Sequence, residues 1–218
     1  TLDRSSAASD VYKRQELEEM LNYHLAREYG VNTTRAKDFE SWKTNHQPFH
    51  WYVDFFPLMV AGGFDAVVGN PPYVEYAKVR HLYQVKGFKT LESGNLYCYC
   101  IERLSALCKD YSFSGIIVPI AVGSVSDTDT LREVCSDFYG SLWSSHFAIR
   151  PTKLFDGVEQ RLTILIGCQG AIGKGWHTSK YHQWFSEERA DLFSRLILVS
   201  MPPRFSKQSP WPKIGSVT

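Results

Sequence analysis

Between Gly62 and Glu75 the sequence reads GGFDAVVGNPPYVE, and its segment FDAVVG (Phe64 to Gly69) is short, apolar and bounded by glycines. Such a run reads as a strand of a parallel sheet, covered on both faces. The residues after Gly69 forbid its continuation, because Pro71 and Pro72 remove two backbone donors and fix φ. A chain with this feature is expected to build an α/β sheet and to leave it at Asn70 through a stiff turn with aimed carbonyl groups.

The remaining pattern extends that sheet. From Glu16 to Tyr29, Leu17, Met20, Leu21 and Leu25 recur at helical spacing until Gly30 stops the run. Residues 31–60 are polar and then aromatic (FHWYVDFF), and are read as a connection whose rings pack in a core. After Ser93, the residues Leu96, Tyr97, Cys100, Ile101, Leu104, Leu107 and Cys108 share one helical face. GIIVPI (Gly115 to Ile120) is a second buried strand, Asp129 to Tyr139 a helix with Leu131, Val134 and Cys135 inward, and HFAIR (146–150) and RLTILIG (161–167) two further strands. The last two stand close enough in sequence to be antiparallel. YHQWFSEERADLF and LILVSM then suggest strand, helix and strand, and the prolines of SMPPRF and SPWPK mark late loops.

Composition narrows the function classes. With 24 Lys plus Arg against 23 Asp plus Glu, the net charge of +1 gives no bulk argument for nucleic acid or membrane binding, so any basic surface is local. No apolar stretch reaches the roughly 18 residues of a membrane helix. Five cysteines without a CxxC pair suit a reducing cytoplasm and small apolar core positions, and the seven histidines show no metal-ligand spacing. The chain starts at Thr1 and is read as a fragment, and TLDRSSAASDVYKRQ resembles a translated library scar. The expected organisation is therefore a non-native segment (1–15), an amino-terminal helix and connection (16–60), a partial catalytic domain (61–170) and an extension (171–218).

Asn70 to Tyr73 stands where open α/β sheets bind ligands, at the carboxyl end of a strand. The Asn70 side chain and the Pro71 carbonyl supply two converging acceptors, suited to a planar NH2 group, and Tyr73 offers a face for a flat ring. An amide or ring amine is a poor nucleophile because its lone pair is delocalised. Acceptors out of its plane draw the nitrogen toward sp3 geometry and free that pair, a case of positioning with electrostatic preorganisation. Asn and Pro also build ordinary strand-ending turns. Asn95 equally suits a helix N-cap, Tyr97 equally suits a core, and Lys153 and Arg161 suit scattered surface charge as well as phosphate contact.

At NPPY the chain resembles the amino-methylating class of S-adenosylmethionine-dependent methyltransferases, whose fourth motif is [D/N]PP[Y/F/W]. SGNLYCYCIERL (93–104) is similar to the helix after that motif in N6-adenine DNA methyltransferases, and KLFDGVEQRLTILI (153–166) to their eighth motif. The order FHW, GGFD, GNPPY resembles the fused, type IIG-like restriction-modification enzymes. The resemblance covers about Phe49 to Ile166. It implies the carboxyl-terminal half of a Rossmann-like class I methyltransferase fold, three-layered, with a mostly parallel sheet and a final antiparallel strand. It implies double-stranded DNA with a flipped adenine as partner, S-adenosylmethionine as methyl donor, and a restriction or specificity domain in the same parent chain, while the histidine spacing leads to the expectation of no metal.

Carried over residue by residue, Asn70, Pro71, Pro72 and Tyr73 are catalytic, and Asn70 and Pro72 also face the methyl donor. Tyr73, Asn95, Tyr97 and Phe155 contact the base, with Phe155 pressing on the side opposite Tyr73. The glycine-rich turn and acid that hold the donor in such enzymes are not present before Phe64. The fragment alone is therefore expected to be inactive and to bind donor poorly. Two other readings stay open: an enzyme methylating a glutamine amide or an RNA guanine with the same clamp, and a non-catalytic remnant or DNA-binding module.

Overall fold

A computed structural model of the chain describes residues 2–170, 175–201 and 211. It divides into two compact units, 1–61 and 62–218.

The first unit is helical. Helix α1 (Leu2–Glu28) begins well before the periodic stretch predicts. Its buried positions are Asn22 and Ala26, whereas Leu17 and Met20 of the expected apolar stripe are exposed. The reason is the partner it meets: Ala26 packs with Phe39 and Trp42 of α2 (Ala36–His46), and the small residue lets those rings approach. Asn22 Oδ1 lies 2.8 Å from His50 Nε2, which satisfies the buried amide. The segment expected to be a connection holds α2 and two short helices, α3 (Trp51–Asp54) and α4 (Phe56–Val60). Of its residues Val53 and Met59 are buried, but Phe49, Tyr52 and Phe56 are exposed, contrary to the core packing expected of them.

The second unit is built on a six-stranded sheet ordered β1-β2-β4-β3-β5-β6. Its elements run β1 (Phe64–Gly69), α5 (Tyr76–Val79), α6 (Leu96–Leu107), β2 (Cys108–Pro119), α7 (Asp129–Phe138), β3 (Tyr139–Phe147), β4 (Leu162–Gln169), β5 (Gly175–His182) and β6 (Leu198–Ser200). Strands β1, β2, β3 and β5 run one way, with β4 inserted antiparallel between β2 and β3 and β6 antiparallel at the end. Thus the sheet is mostly parallel by direction, and its first four strands have the arrangement expected of a methyltransferase carboxyl-terminal half.

Helices α6 and α7 cover one face of the sheet. Ile101 and Leu104 of α6 and Leu131 and Cys135 of α7 pack with Ile116, Val118, Leu142 and Leu165 of the strands. Cys100 departs from its predicted inward face and is exposed, while the other four cysteines are buried. On the opposite face Val68, Gly115, Ile166, Trp143 and His177 stand side by side across five strands, as the registers require. The strand order makes β1 an edge strand, and Val68 is 86% exposed on this face, so β1 is not the doubly covered strand its composition suggests. The strand read at 146–150 instead spans Tyr139–Phe147, its buried Ser141, Ser144 and Ser145 having disguised it as a polar segment. Buried His146 meets a threonine hydroxyl at each ring nitrogen, Thr163 at 2.9 Å and Thr178 at 3.1 Å. The segment SMPPRF beyond Met201 and most of SPWPK lie outside the described residues.

Gly63 fixes where β1 starts. Its φ of +116° suits glycine, and a Cβ there would stand 2.3 Å from the Leu107 carbonyl oxygen, at the junction of α6 and β2. The close backbone approach seats Phe64 beside Cys108, the first pair of the β1–β2 ladder.

Candidate active site

The site grows out of the end of β1. After Gly69 the two prolines carry the chain off the sheet, leaving Asn70 and Pro72 exposed and Pro71 half-buried. Tyr73 then folds back: its side chain packs, like those of Ile117 and Ile164, against a cluster of Phe147, Leu154, Leu162, Trp184 and Leu192. The Tyr73 hydroxyl lies 3.0 Å from the Ile117 carbonyl oxygen of β2 and 2.5 Å from Asn70 Oδ1. Burial raises its pKa, so it remains a protonated donor at neutral pH.

The next residues tie the motif to α6. Val74 accepts a hydrogen bond from Leu96 N (3.0 Å), and Tyr76 N donates to Gly94 O (2.7 Å), so that Glu75 and Asn95 form an antiparallel bridge. The intervening excursion is held from the helix. Glu102 of α6 accepts from Lys89 N (2.9 Å), Thr90 N (2.9 Å) and Thr90 Oγ1 (2.7 Å), and Tyr99 Oη donates to Leu91 O (3.1 Å). Asn95 occupies the N-cap position of α6, but its side chain makes no capping bond; Nδ2 donates to Ser93 O at 3.1 Å. Two residues on, Tyr97 is buried, and burial together with neighbouring Cys98 pushes its phenol pKa far above the usual range.

These pieces line an open cavity of about 520 Å³ formed by Tyr73, Asn95 and Tyr97, with Pro119, Ile120, Ala121 and Ile149 as apolar wall and Glu75, Lys78, Glu159, Gln160 and Arg161 as polar rim. That volume lies within the range of small-molecule sites, about 300–1,000 Å³. Three predicted contact residues thus meet in one concavity. Asn70 is not in its lining and joins it through the Tyr73 hydroxyl. Phe155 stands apart, 39% exposed and outside the lining. Lys153 pairs with Glu159, while Arg161 reaches the rim, its guanidinium 6.0 Å from the Tyr181 ring centre. Besides Pro119 to Ala121 at the end of β2, sequence reasoning missed Glu75, Lys78, Ile149, Glu159 and Gln160. The first two carry a usable signal, since they directly follow the motif; the others sit in the β3–β4 loop, where no periodicity marks an inward side chain. Among the described residues no group of three or more His, Cys, Asp or Glu is placed to hold a metal, and no helix is long and apolar enough to cross a membrane.

A sheet with an antiparallel strand inserted next to β3, and a cavity at the carboxyl ends of its strands, has the arrangement of the carboxyl-terminal half of a Rossmann-like class I methyltransferase fold. Residues 6–140 match the Eco57I restriction-modification methylase family, and the chain belongs to that family. Over 135 residues it is 31% identical to a protein of Methanocaldococcus jannaschii named as a type II restriction enzyme and methyltransferase, a stretch that is 62% of this chain and 11% of the relative. Among solved structures it resembles DrdV in complex with DNA (TM-score 0.50, 12% identity, 69% of this chain and 18% of that one). It also resembles a nuclease-deletion mutant of the Type ISP restriction-modification enzyme LlaGI in complex with a DNA substrate mimic (TM-score 0.53, 13% identity, 73% and 19%). At these identities the structural likeness is one of fold.

Proposed function

We propose that this chain carries the amine-holding part of an S-adenosylmethionine-dependent DNA adenine-N6 methyltransferase of a restriction-modification system, and that these 218 residues alone do not methylate. The observation that carries the reading is the convergence of Tyr73, Asn95 and Tyr97 on one cavity, directly beside Asn70 at the end of β1. An extrahelical base placed there stacks on Tyr73, a contact worth about 1–3 kcal/mol, which offsets part of the unstacking cost. The Asn70 carboxamide oxygen and the Pro71 carbonyl take the two amine hydrogens, and the rigid prolines hold those acceptors where charge develops on the nitrogen. Both phenols stay neutral, so neither presents a charge to the base. Lys78 and Arg161 on the rim suit the flanking phosphates.

The methyl group comes from S-adenosylmethionine. This chain offers only one side of a donor site: Asn70 and Pro72 are exposed at the tip of an edge strand, and the free side of β1 is where the remainder of such a pocket would stand. Weak donor binding by the chain itself is the consequence, and calorimetry giving tight binding would overturn that part.

The substrate is tested with the chain restored to its full coding frame and incubated with donor and plasmid lacking adenine methylation. Mass spectrometry of the digested DNA is expected to find N6-methyladenine, abolished by Asn70→Ala. Methylcytosine in its place, or methylated glutamine in purified release factor with unmodified plasmid, refutes the adenine reading.

A further inference from the structure

The contacts of the Tyr73 hydroxyl do not close as they stand. It has one proton, yet it lies 2.5 Å from Asn70 Oδ1 and 3.0 Å from the Ile117 carbonyl oxygen, two atoms that can only accept. Whichever contact receives the proton, the other sets two oxygens against each other without one. Turning the Asn70 carboxamide half a turn about its last bond removes the conflict, because its oxygen and nitrogen are nearly isosteric. Nδ2–H then donates to the phenol oxygen, and the phenol proton goes to Ile117 O. Every group in the relay has a partner, and Oδ1 faces away from Tyr73, on a residue that is itself exposed.

We infer that the Tyr73 hydroxyl is a positioning group, distinct from the stacking face of its ring: through a relay from Asn70 Nδ2 to Tyr73 Oη to Ile117 O, it decides which end of the Asn70 carboxamide meets an incoming amine. The role of that amine rests on the function proposed above; the relay itself does not. A carboxamide presented the wrong way offers N–H to N–H, so orientation here is the difference between attraction and repulsion. Anchoring to Ile117 ties the amide to β2, a strand paired on both sides. Ring and hydroxyl consequently make separable contributions, and Tyr73→Phe and Tyr73→Ala differ in kind.

The test uses the 218-residue chain labelled with 15N, the Asn70 side-chain resonances being assigned by their loss in Asn70→Asp. In the wild type one Nδ2 proton should be hydrogen-bonded, displaced from its twin and slow to exchange. In Tyr73→Phe that displacement should collapse, and exchange should quicken about tenfold, as for loss of a single hydrogen bond. The Asn95 amide, which donates to Ser93 O, serves as an internal control and should not move. Identical Asn70 signals in wild type and Tyr73→Phe overturn the relay.

In the full-length enzyme, Tyr73→Phe should keep the 2-aminopurine signal of an extrahelical base while slowing methyl transfer. Equal loss of both would make the hydroxyl part of base capture and overturn the positioning role. Should the wild-type enzyme modify no DNA adenine, the proposed function fails while the amide resonances still decide the relay.

Discussion

Gly63→Ala puts the local reason for the site's geometry to a quantitative test. The new methyl group would stand 2.3 Å from the Leu107 carbonyl oxygen, 3.0 Å from the Leu107 carbonyl carbon and 3.1 Å from that of Cys108. All three are backbone atoms, so no side chain can rotate away; either the α6–β2 junction moves or β1 does. Holding an L-residue at φ +116° costs about 1–3 kcal/mol, and the overpacking adds about 1–3, giving roughly 2–6 kcal/mol in all.

Two other glycines separate these contributions. Gly87 has φ +76° and nothing within 4 Å of an added Cβ, so Gly87→Ala bears only the backbone cost of about 1–2 kcal/mol, less the entropy lost by the unfolded chain. Gly62, with φ +99° and Lys109 Cβ at an ordinary 3.6 Å, should lie between. Urea unfolding followed by far-UV circular dichroism should rank the variants Gly63, Gly62, Gly87 in falling order of damage. Equal losses for Gly63→Ala and Gly87→Ala would refute the claim that close approach, and not conformation alone, requires the glycine.

Glu102→Ala strips three acceptor contacts and leaves the donors of fully buried Thr90 unpaired, so it should cost about 2–4 kcal/mol and speed exchange of the Thr90 amide; protection at the wild-type level would contradict the anchoring role. Burial pushes the thiols of Cys98 and Cys135 up to about 12 from an ordinary 9.0. A pKa raised by folding means their contribution is complete below pH 9 and is lost as pH climbs toward 12, so the urea midpoint should fall across that window and fall less in Cys98→Ala and Cys135→Ala. At about pH 8 a thiol reagent should label Cys100 in the native chain well before the four buried cysteines. Val68, exposed on the sheet's edge strand, should drive self-association, and Val68→Lys should reduce it in sedimentation velocity; identical profiles would dismiss the edge as the cause.

The parts of the fold legible in the sequence are those where local chemistry and tertiary outcome agree. Glycines and prolines bracket β1 because they are needed at its two ends. The stripes of α6 and α7 are readable because each meets the sheet with one face. Legibility fails where the environment overrides composition. Ser141, Ser144 and Ser145 are buried in β3, so a central strand looks like a polar linker. Cys108 reads as the end of a helical face and Gly115 as the start of the next strand, yet β2 starts at Cys108, its early residues paired with β1 and β4. The helices of residues 31–60 escaped notice because their aromatic rings fall without an apolar period, although Phe39 and Trp42 stand three apart as one face of α2 requires. The site divides in the same way: the contiguous motif announces itself, whereas Ile149, Gln160 and Arg161 arrive from a distant loop whose closure no local pattern records.

The bridge between Glu75 and Asn95 has a consequence for how such a scaffold could diversify. It staples shut the mouth of the excursion between them, so residues inserted at the exposed stretch 80–82 leave both margins of the cavity where they were. Lineages could then remodel that outward flap to greet new surroundings while the chemistry beneath it stands still.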